Sequence, residues 1–301
     1  DKLVEIDSPE KGCWISMVHP DEEEVQRIAQ QTGADFDMLK APLDPEERAR
    51  IDAEDNTSLI LVDIPTIEME GKDFVYSTIP LGILTTENHL ITVCLKDSHI
   101  MRDFAQNHVK GFFTYKKTRF ILQILYRNAS RYLQYLRQID KKTNAIETEL
   151  QRTLRNQELM QLMRLEKSLV FFATSLKSNE IVLEKLLRSD LIRRFPDDED
   201  LLEDVIIENK QAIEMCAIYR DILSSTMDAF SSVISNNVND IMKVLTSLTL
   251  VLSIPTLIAS IWGMNVKVPF EGDSVGFWIL LGASLLASII SIVILSKRRM
   301  L

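Results

Sequence analysis

The chain has 301 residues, room for one large domain or two modest ones, and 44 acidic against 34 basic residues give a formal net charge of -10. That balance argues against nucleic acid as a partner, which needs a basic face, and suits a protein that handles cations. The 26% of charged residues is an average over two unlike parts: charge is spread over residues 1–243 and almost absent from 244–295.

Cys13, Cys94 and Cys216 are far apart, with no CxxC and no histidine nearby in sequence. They predict neither a zinc site nor a disulfide framework and fit a reducing compartment. His19, His89, His99 and His108 share no metal-ligand spacing. The chain opens at Asp1 without an apolar run, so no signal peptide is expected.

Residues 1–110 read as a mixed α/β domain. Strands are expected at 13–18, 58–64, 74–84 and 89–95, all rich in β-branched and aromatic residues, with turn chemistry at Glu70-Gly71-Lys72 and Glu87-Asn88. A helix is expected over 21–31, and Asp44-Pro45-Glu46-Glu47 reads as a second acidic helix start. No Gly-rich phosphate loop, HExxH or nucleophile elbow occurs, which leaves an enzyme no catalytic constellation.

Residues 111–238 read as a helical and stalk region. From 113 to 190 the pattern is helical and free of Pro, with apolar Ile121, Leu122, Leu125, Leu133 and Leu136. Pro196 interrupts it, and Asp197, Asp198, Glu199 and Asp200 make an acidic helix start that suits the helix dipole. With no Gly or Pro before Pro255, one helix of about 60 residues, roughly 90 Å, is expected to run to Trp262.

Residues 239–301 read as a transmembrane hairpin. The segments 244–262 and 276–295 carry no charge, and at about 20 residues each spans roughly 30 Å of hydrocarbon. Lys243 precedes the first segment and Lys297, Arg298 and Arg299 follow the second; the connector carries Lys267 against Glu271 and Asp273. The positive-inside rule places both termini in the cytoplasm and the connector outside, which in a bacterium means the inner membrane.

The first span is not uniformly apolar. Thr246, Thr249, Ser253, Thr256 and Ser260 recur at spacings of three and four, a single helical face. The same register runs back through Met242, Asn239, Ser235, Ser232, Asp228, Ser225 and Asp221. A second row, Cys216, Tyr219, Leu223, Thr226, Phe230 and Val233, is mostly apolar. Small hydroxyl residues can serve close helix packing. They can also line a wet lumen, and continuation through Asn239 and Asp228 favours the lumen, because such groups are stable in a membrane only beside water. Two helices cannot enclose a hydrated path, so a lumen requires a ring of subunits. Pro255 removes a backbone hydrogen bond inside the span.

The first span ends in Trp262-Gly263-Met264-Asn265. Alone this reads as a helix C-cap with a left-handed glycine. After a long stalk helix, before a second span and a basic C-terminus, it resembles the CorA family of magnesium channels. Ser231-Ser232-Val233, Asn239, Met242-Lys243-Val244-Leu245-Thr246 and Gly263-Met264-Asn265 carry the resemblance. It implies a funnel-shaped homopentamer whose first spans line the pore, with Gly263, Met264 and Asn265 as the selectivity loop. Family pore positions fall on Asn239, Met242, Leu245, Ser253 and Thr256, close to the stripe that also holds Thr249 and Ser260. The implied activity is passive, potential-driven entry of hydrated Mg2+, with Co2+ and Ni2+ as incidental cargo. Mg2+ is both transported ion and regulator, no other cofactor is implied, and the partners are further copies of the chain and membrane lipids.

Two departures stand out. Trp262 occupies a position where the family usually has Tyr. Asp228 and Asp204 match regulatory magnesium positions on the stalk, but the acidic pair expected to face them is replaced by Lys40-Ala41, with Asp37 and Asp44 as the nearby acids. The alternatives are a zinc transporter of the same superfamily, which typically replaces the Met of the loop, and a non-conducting coiled-coil scaffold anchored in the membrane.

Overall fold

A computed structural model describes residues 3–54, 57–70, 73–153, 156–188, 196–265 and 274–298. The chain divides into two compact units, residues 1–226 and 227–301.

The first unit is built on a five-stranded mixed sheet. Its strands are β1 (Trp14–Val18), β2 (Arg50–Glu54), β3 (Thr57–Glu70), β4 (Asp73–Thr85) and β5 (Leu90–Cys94). Their order is β1-β5-β4-β3-β2, with β1 parallel to β5 and every other pair antiparallel. The run Leu59-Ile60-Leu61-Val62 is apolar without alternation because both faces of the sheet are covered. Leu59, Leu61, Ile91 and Val93 pack with Val25, Met38 and Leu39 from α1 (Glu22–Thr32) and α2 (Phe36–Lys40). Ile60, Val62, Leu81 and Ile83 pack on the opposite face. There they meet Phe104 of α3 (His99–Ala105), Phe120 and Ile124 of α4 (Lys117–Thr153), and Leu183 of α5 (Asn156–Arg188). Leu202 and Val205 from the start of α6 (Pro196–Trp262) complete this layer.

The expected strands all form, and the helix expected at 21–31 is α1, started by a capping box in which the Asp21 carboxylate accepts from the Glu24 N–H at 2.8 Å. Asp44-Pro45-Glu46-Glu47 does not start a helix. Asp44 accepts from the Glu46 N–H at 2.9 Å, Glu47 N–H donates to the Asp44 carbonyl, and the turn leads into β2. The preceding 3-10 turn, Ala41–Leu43, lies on the sheet at Gly82, where a Cβ would sit 2.1 Å from Pro42 Cγ. This docking, together with pairing of β2 along β3, outweighs the acidic start signal.

A polar pin ties the helices to the sheet. Pairing of β2 with β3 stops at Arg50–Leu61. Beyond it, Asp63 exchanges its backbone groups with the Asn179 side chain of α5: N–H to Oδ1 at 2.8 Å and Nδ2 to the carbonyl at 2.8 Å. Asn128 and Tyr132 of α4 donate to the same carbonyl at 2.9 and 3.2 Å. A side-chain amide thus replaces a missing strand at the sheet edge, which keeps the buried backbone satisfied. Burial pushes the Asp63 carboxyl up, opposed by a hydrogen bond from Ser175, and pushes the Tyr132 hydroxyl well up.

The second unit comprises α6 from Met227 onward and α7 (Ser274–Lys297). Both helices are long and apolar enough to cross a membrane. The helix expected to reach Trp262 does so as 67 continuous residues with Pro255 inside. Exposure falls along Ser247, Val251, Ile254, Pro255 and Ile258 of α6 and along Gly276, Leu280, Ser284, Ser288 and Leu295 of α7. These two faces form the seam of the hairpin. Gly276, Ser284 and Ser288 are small residues on the buried face of α7.

Candidate ion-conducting site

The seam decides what the hydroxyl stripe does inside one chain. Thr246, Thr249, Ser253, Thr256 and Ser260 are all exposed, whereas the α6 seam runs through Ser247, Val251, Ile254 and Ile258. The rows 247, 251, 254, 258 and 249, 253, 256, 260 differ by two positions, about 200° around a helix. By helical angle the stripe lies across α6 from the most buried row, while its cleft reaches round to Ile254 and to α7. An open cleft of about 840 Å³ runs along Thr249, Ser253, Thr256 and Ser260 and is bordered on one side by Ser291, Ile294 and Leu295 of α7.

Three of the five hydroxyls are already satisfied as donors. Thr249 Oγ1 donates to the Leu245 carbonyl at 2.9 Å and Thr256 Oγ1 to that of Leu252 at 3.0 Å. Ser253 Oγ lies 2.9 Å from the Thr249 carbonyl and 3.0 Å from that of Leu250. With their protons turned back onto the helix, the oxygens keep lone pairs facing outward. The face is thus a row of acceptors.

At the N-terminal end of this row a groove of about 620 Å³ is lined by Asn236, Asn239, Asp240, Met242, Lys243 and Thr246. Asn239 is exposed, and Met242 and Leu245 show 52% and 54% exposure. Lys243 Nζ binds Asp240 Oδ1 at 2.8 Å. Asp240, which belongs to no motif, lies in this groove beside the stripe.

At the other end, the Gly263 N–H donates to the Ala259 carbonyl at 2.9 Å and closes the last turn of α6. Gly263 is not among the glycines with positive φ, so a left-handed cap does not account for the glycine here. Met264 is 57% exposed and Asn265 is exposed. Lys267, Glu271, Asp273 and Arg299 lie outside the described residues.

The acids matched to regulatory positions are Asp204 in the first unit and Asp228 in the second, and both are exposed. Ser232 Oγ donates to the Asp228 backbone carbonyl at 3.0 Å. Lys40, at the position of the missing acid, is paired with Glu22 at 3.0 Å. Among the described residues no three His, Cys, Asp or Glu gather to hold a metal ion. Burial pushes the Cys94 thiol up and that of Cys216 up to about 11, so neither is a ready metal ligand.

The family model described as "CorA-like Mg2+ transporter protein" matches residues 9–298. The cobalt/magnesium transport protein CorA of Methanocaldococcus jannaschii is 28% identical, over 99% of this chain and 94% of that protein. The protein of the same name from Thermotoga maritima is 24% identical, over 92% of this chain and 80% of its own length. The complete structure of the M. jannaschii CorA magnesium transporter superposes with a TM-score of 0.81 at 26% identity, covering 97% of this chain and 92% of that one. The match extends through the sheet, the long helix and both apolar helices, and on it the chain belongs to the CorA-like Mg2+ transporter protein family.

Proposed function

We propose that the chain is one subunit of a membrane channel for passive, potential-driven entry of hydrated Mg2+, with Co2+ and Ni2+ as incidental cargo. The observation that carries this reading is the acceptor row on the α6 face opposite the seam. Magnesium gives up its water reluctantly, and a hexahydrated ion presents outward-pointing hydrogens. A path for it needs acceptors, and Ser and Thr oxygens that have already donated their own protons are acceptors. One α6 cannot enclose such a path, so several copies contribute theirs in a closed ring, five by the family resemblance.

In this reading Gly263, Met264 and Asn265 form the entrance, where the Asn265 amide and nearby carbonyls hold the ion through its water shell without trapping it. Thr249, Ser253, Thr256 and Ser260 carry the shell across the membrane. Met242 and Leu245 narrow the path with apolar side chains, and Asn239 receives the ion on the cytoplasmic side. A membrane potential of 100 mV supplies about 2.3 kcal/mol per charge, so a divalent ion needs no other energy source. Relatives named as cobalt/magnesium transport proteins support the cargo. Met264 supports magnesium over the zinc branch.

Asp228 and Asp204 are the stalk acids that the family resemblance assigns to a regulatory ion, and each is exposed. A regulatory ion there requires carboxylates from a neighbouring copy, and Asp228→Lys then alters inhibition of the current by magnesium.

The test is magnesium uptake into proteoliposomes that hold the purified protein and a magnesium-sensitive dye, at a clamped potential. Uptake blocked by cobalt hexaammine and lost in Asn265→Ala is the expected result. Entry of zinc without magnesium would assign the protein to the zinc branch. Silence for every ion would leave a membrane-anchored scaffold.

A further inference from the structure

Lys243 poses a problem for the channel reading. It is the last charge before the uncharged stretch of α6, and it lines the same groove as Asn239, Met242 and Thr246. An ammonium at the mouth of a cation path repels each divalent ion that passes. The structure shows how this is avoided. Lys243 Nζ is held by Asp240 Oδ1 at 2.8 Å, one helical turn toward the N-terminus and in the same groove. The Lys243 and Asp240 side chains retain 50% and 70% of their exposure, so the pair stands in the groove and is not buried by packing. A solvated pair three residues apart contributes little to helix stability. Its effect on the field beside the stripe is larger, because pairing cancels a full charge next to the path of a divalent ion.

We propose that Asp240 is a positioning residue for conduction: it neutralises the Lys243 ammonium and draws it back from the narrow part of the path at Met242 and Leu245. The proposal rests on the channel reading. Asp240 need not touch the ion. It acts through Lys243, so its effect exists only while Lys243 is charged. In a ring of copies the pair recurs once per subunit, and its loss would surround the mouth with unpaired ammonium groups.

The experiment measures magnesium uptake at a clamped potential for the wild type, Asp240→Asn, Asp240→Glu, Lys243→Gln and the double variant Asp240→Asn/Lys243→Gln, at low and high monovalent salt. Asp240→Asn is expected to lower uptake about threefold to tenfold at low salt, with the deficit shrinking at high salt as the ammonium is screened. Asp240→Glu, which keeps the carboxylate, and the double variant, which removes the unpaired ammonium, are both expected within about twofold of wild type. A merely structural role for Asp240 would leave the double variant as impaired as Asp240→Asn. Either that result or wild-type uptake by Asp240→Asn at low salt overturns the proposal while leaving the channel reading intact. A wild type that passes no ion overturns the channel reading and this proposal together.

Discussion

Replacing Thr249, Ser253 and Thr256 by Val, Ala and Val removes three oxygens from the stripe and nearly preserves its shape. The structure separates what this does to stability from what it does to conduction. Each hydroxyl donates to a carbonyl of its own helix at 2.9 to 3.0 Å. Those carbonyls belong to a regular helix and keep their backbone donors, and hydroxyl back-bonding adds little or slightly bends a helix. None of the three lies on the seam with α7. The hairpin is therefore expected to change in stability by no more than about 0.5 kcal/mol. Conduction is different, because each substitution removes one ring of acceptors for the ion's water shell, taken as a net cost of about 1 kcal/mol per ring. A single substitution then lowers flux about fivefold, and the triple variant, at about 3 kcal/mol, lowers it by about two orders of magnitude. The assay is the uptake measurement above, with size-exclusion chromatography to establish that the assembly is intact. A triple variant that conducts at the wild-type rate would refute the lumen reading. A triple variant that falls apart would show that the hydroxyls pack helices of neighbouring copies together.

Three further outcomes concern the first unit. Asn179→Ala leaves the Asp63 N–H without its acceptor at a site where Asn179 is 3% exposed, at a cost of about 1 to 3 kcal/mol; hydrogen exchange of β3 peptides in the full chain should accelerate, and unchanged protection would contradict the pin. Burial raises the Asp63 carboxyl above its unfolded value, so the folded state holds the proton more tightly and wild-type stability falls as pH rises from about 4 through the raised folded value. Asp63→Asn should thus gain in thermal midpoint over wild type at pH 7 and lose that gain near pH 4; an equal gain at both would exclude ionisation as the cause. The Asp198 side chain is 5% exposed and lies 3.6 Å from Arg119, so Arg119→Met strands a buried carboxylate at about 3 kcal/mol, and adding Asp198→Asn should recover most of the loss in the same unfolding measurement.

What the amino-acid sequence made legible follows from which signals are local. The strands at the centre of the sheet are buried on both faces, so Leu59-Ile60-Leu61-Val62 announces itself as a continuous apolar run and Leu90-Ile91-Thr92-Val93 as one interrupted only by Thr92. The sequence of β2, Arg50-Ile51-Asp52-Ala53-Glu54, buries Ile51 alone and is held as a strand by pairing with β3, which no local pattern records. Asp44 misled for the same reason: a helix start and a turn call for the same carboxylate, and what decides between them is the sheet at Gly82, far along the chain. The Asn179 pin was equally invisible, since it joins residues 116 positions apart.

The stripe shows the same limit in reverse. Spacings of three and four identify a face of a helix, and the face was legible; what it touches was not. Packing and a wet lumen require the same small hydroxyl residues, so periodicity cannot choose between them. The second helix decides only which face the hairpin itself covers. α7 turns Ser284, Ser288 and Leu295 inward, its α6 partner face falls on Ser247, Val251, Ile254 and Ile258, and the hydroxyl row is left on the far side. That result is not dictated by composition, because α7 meeting the Thr and Ser row would have matched small residue to small residue equally well. Instead the hairpin closes around one set of small residues and leaves a second set exposed, with donors satisfied and acceptors outward. A lipid-facing surface gains nothing from such a row; an ion's water shell or the helices of neighbouring copies would use it, and the triple variant separates the two.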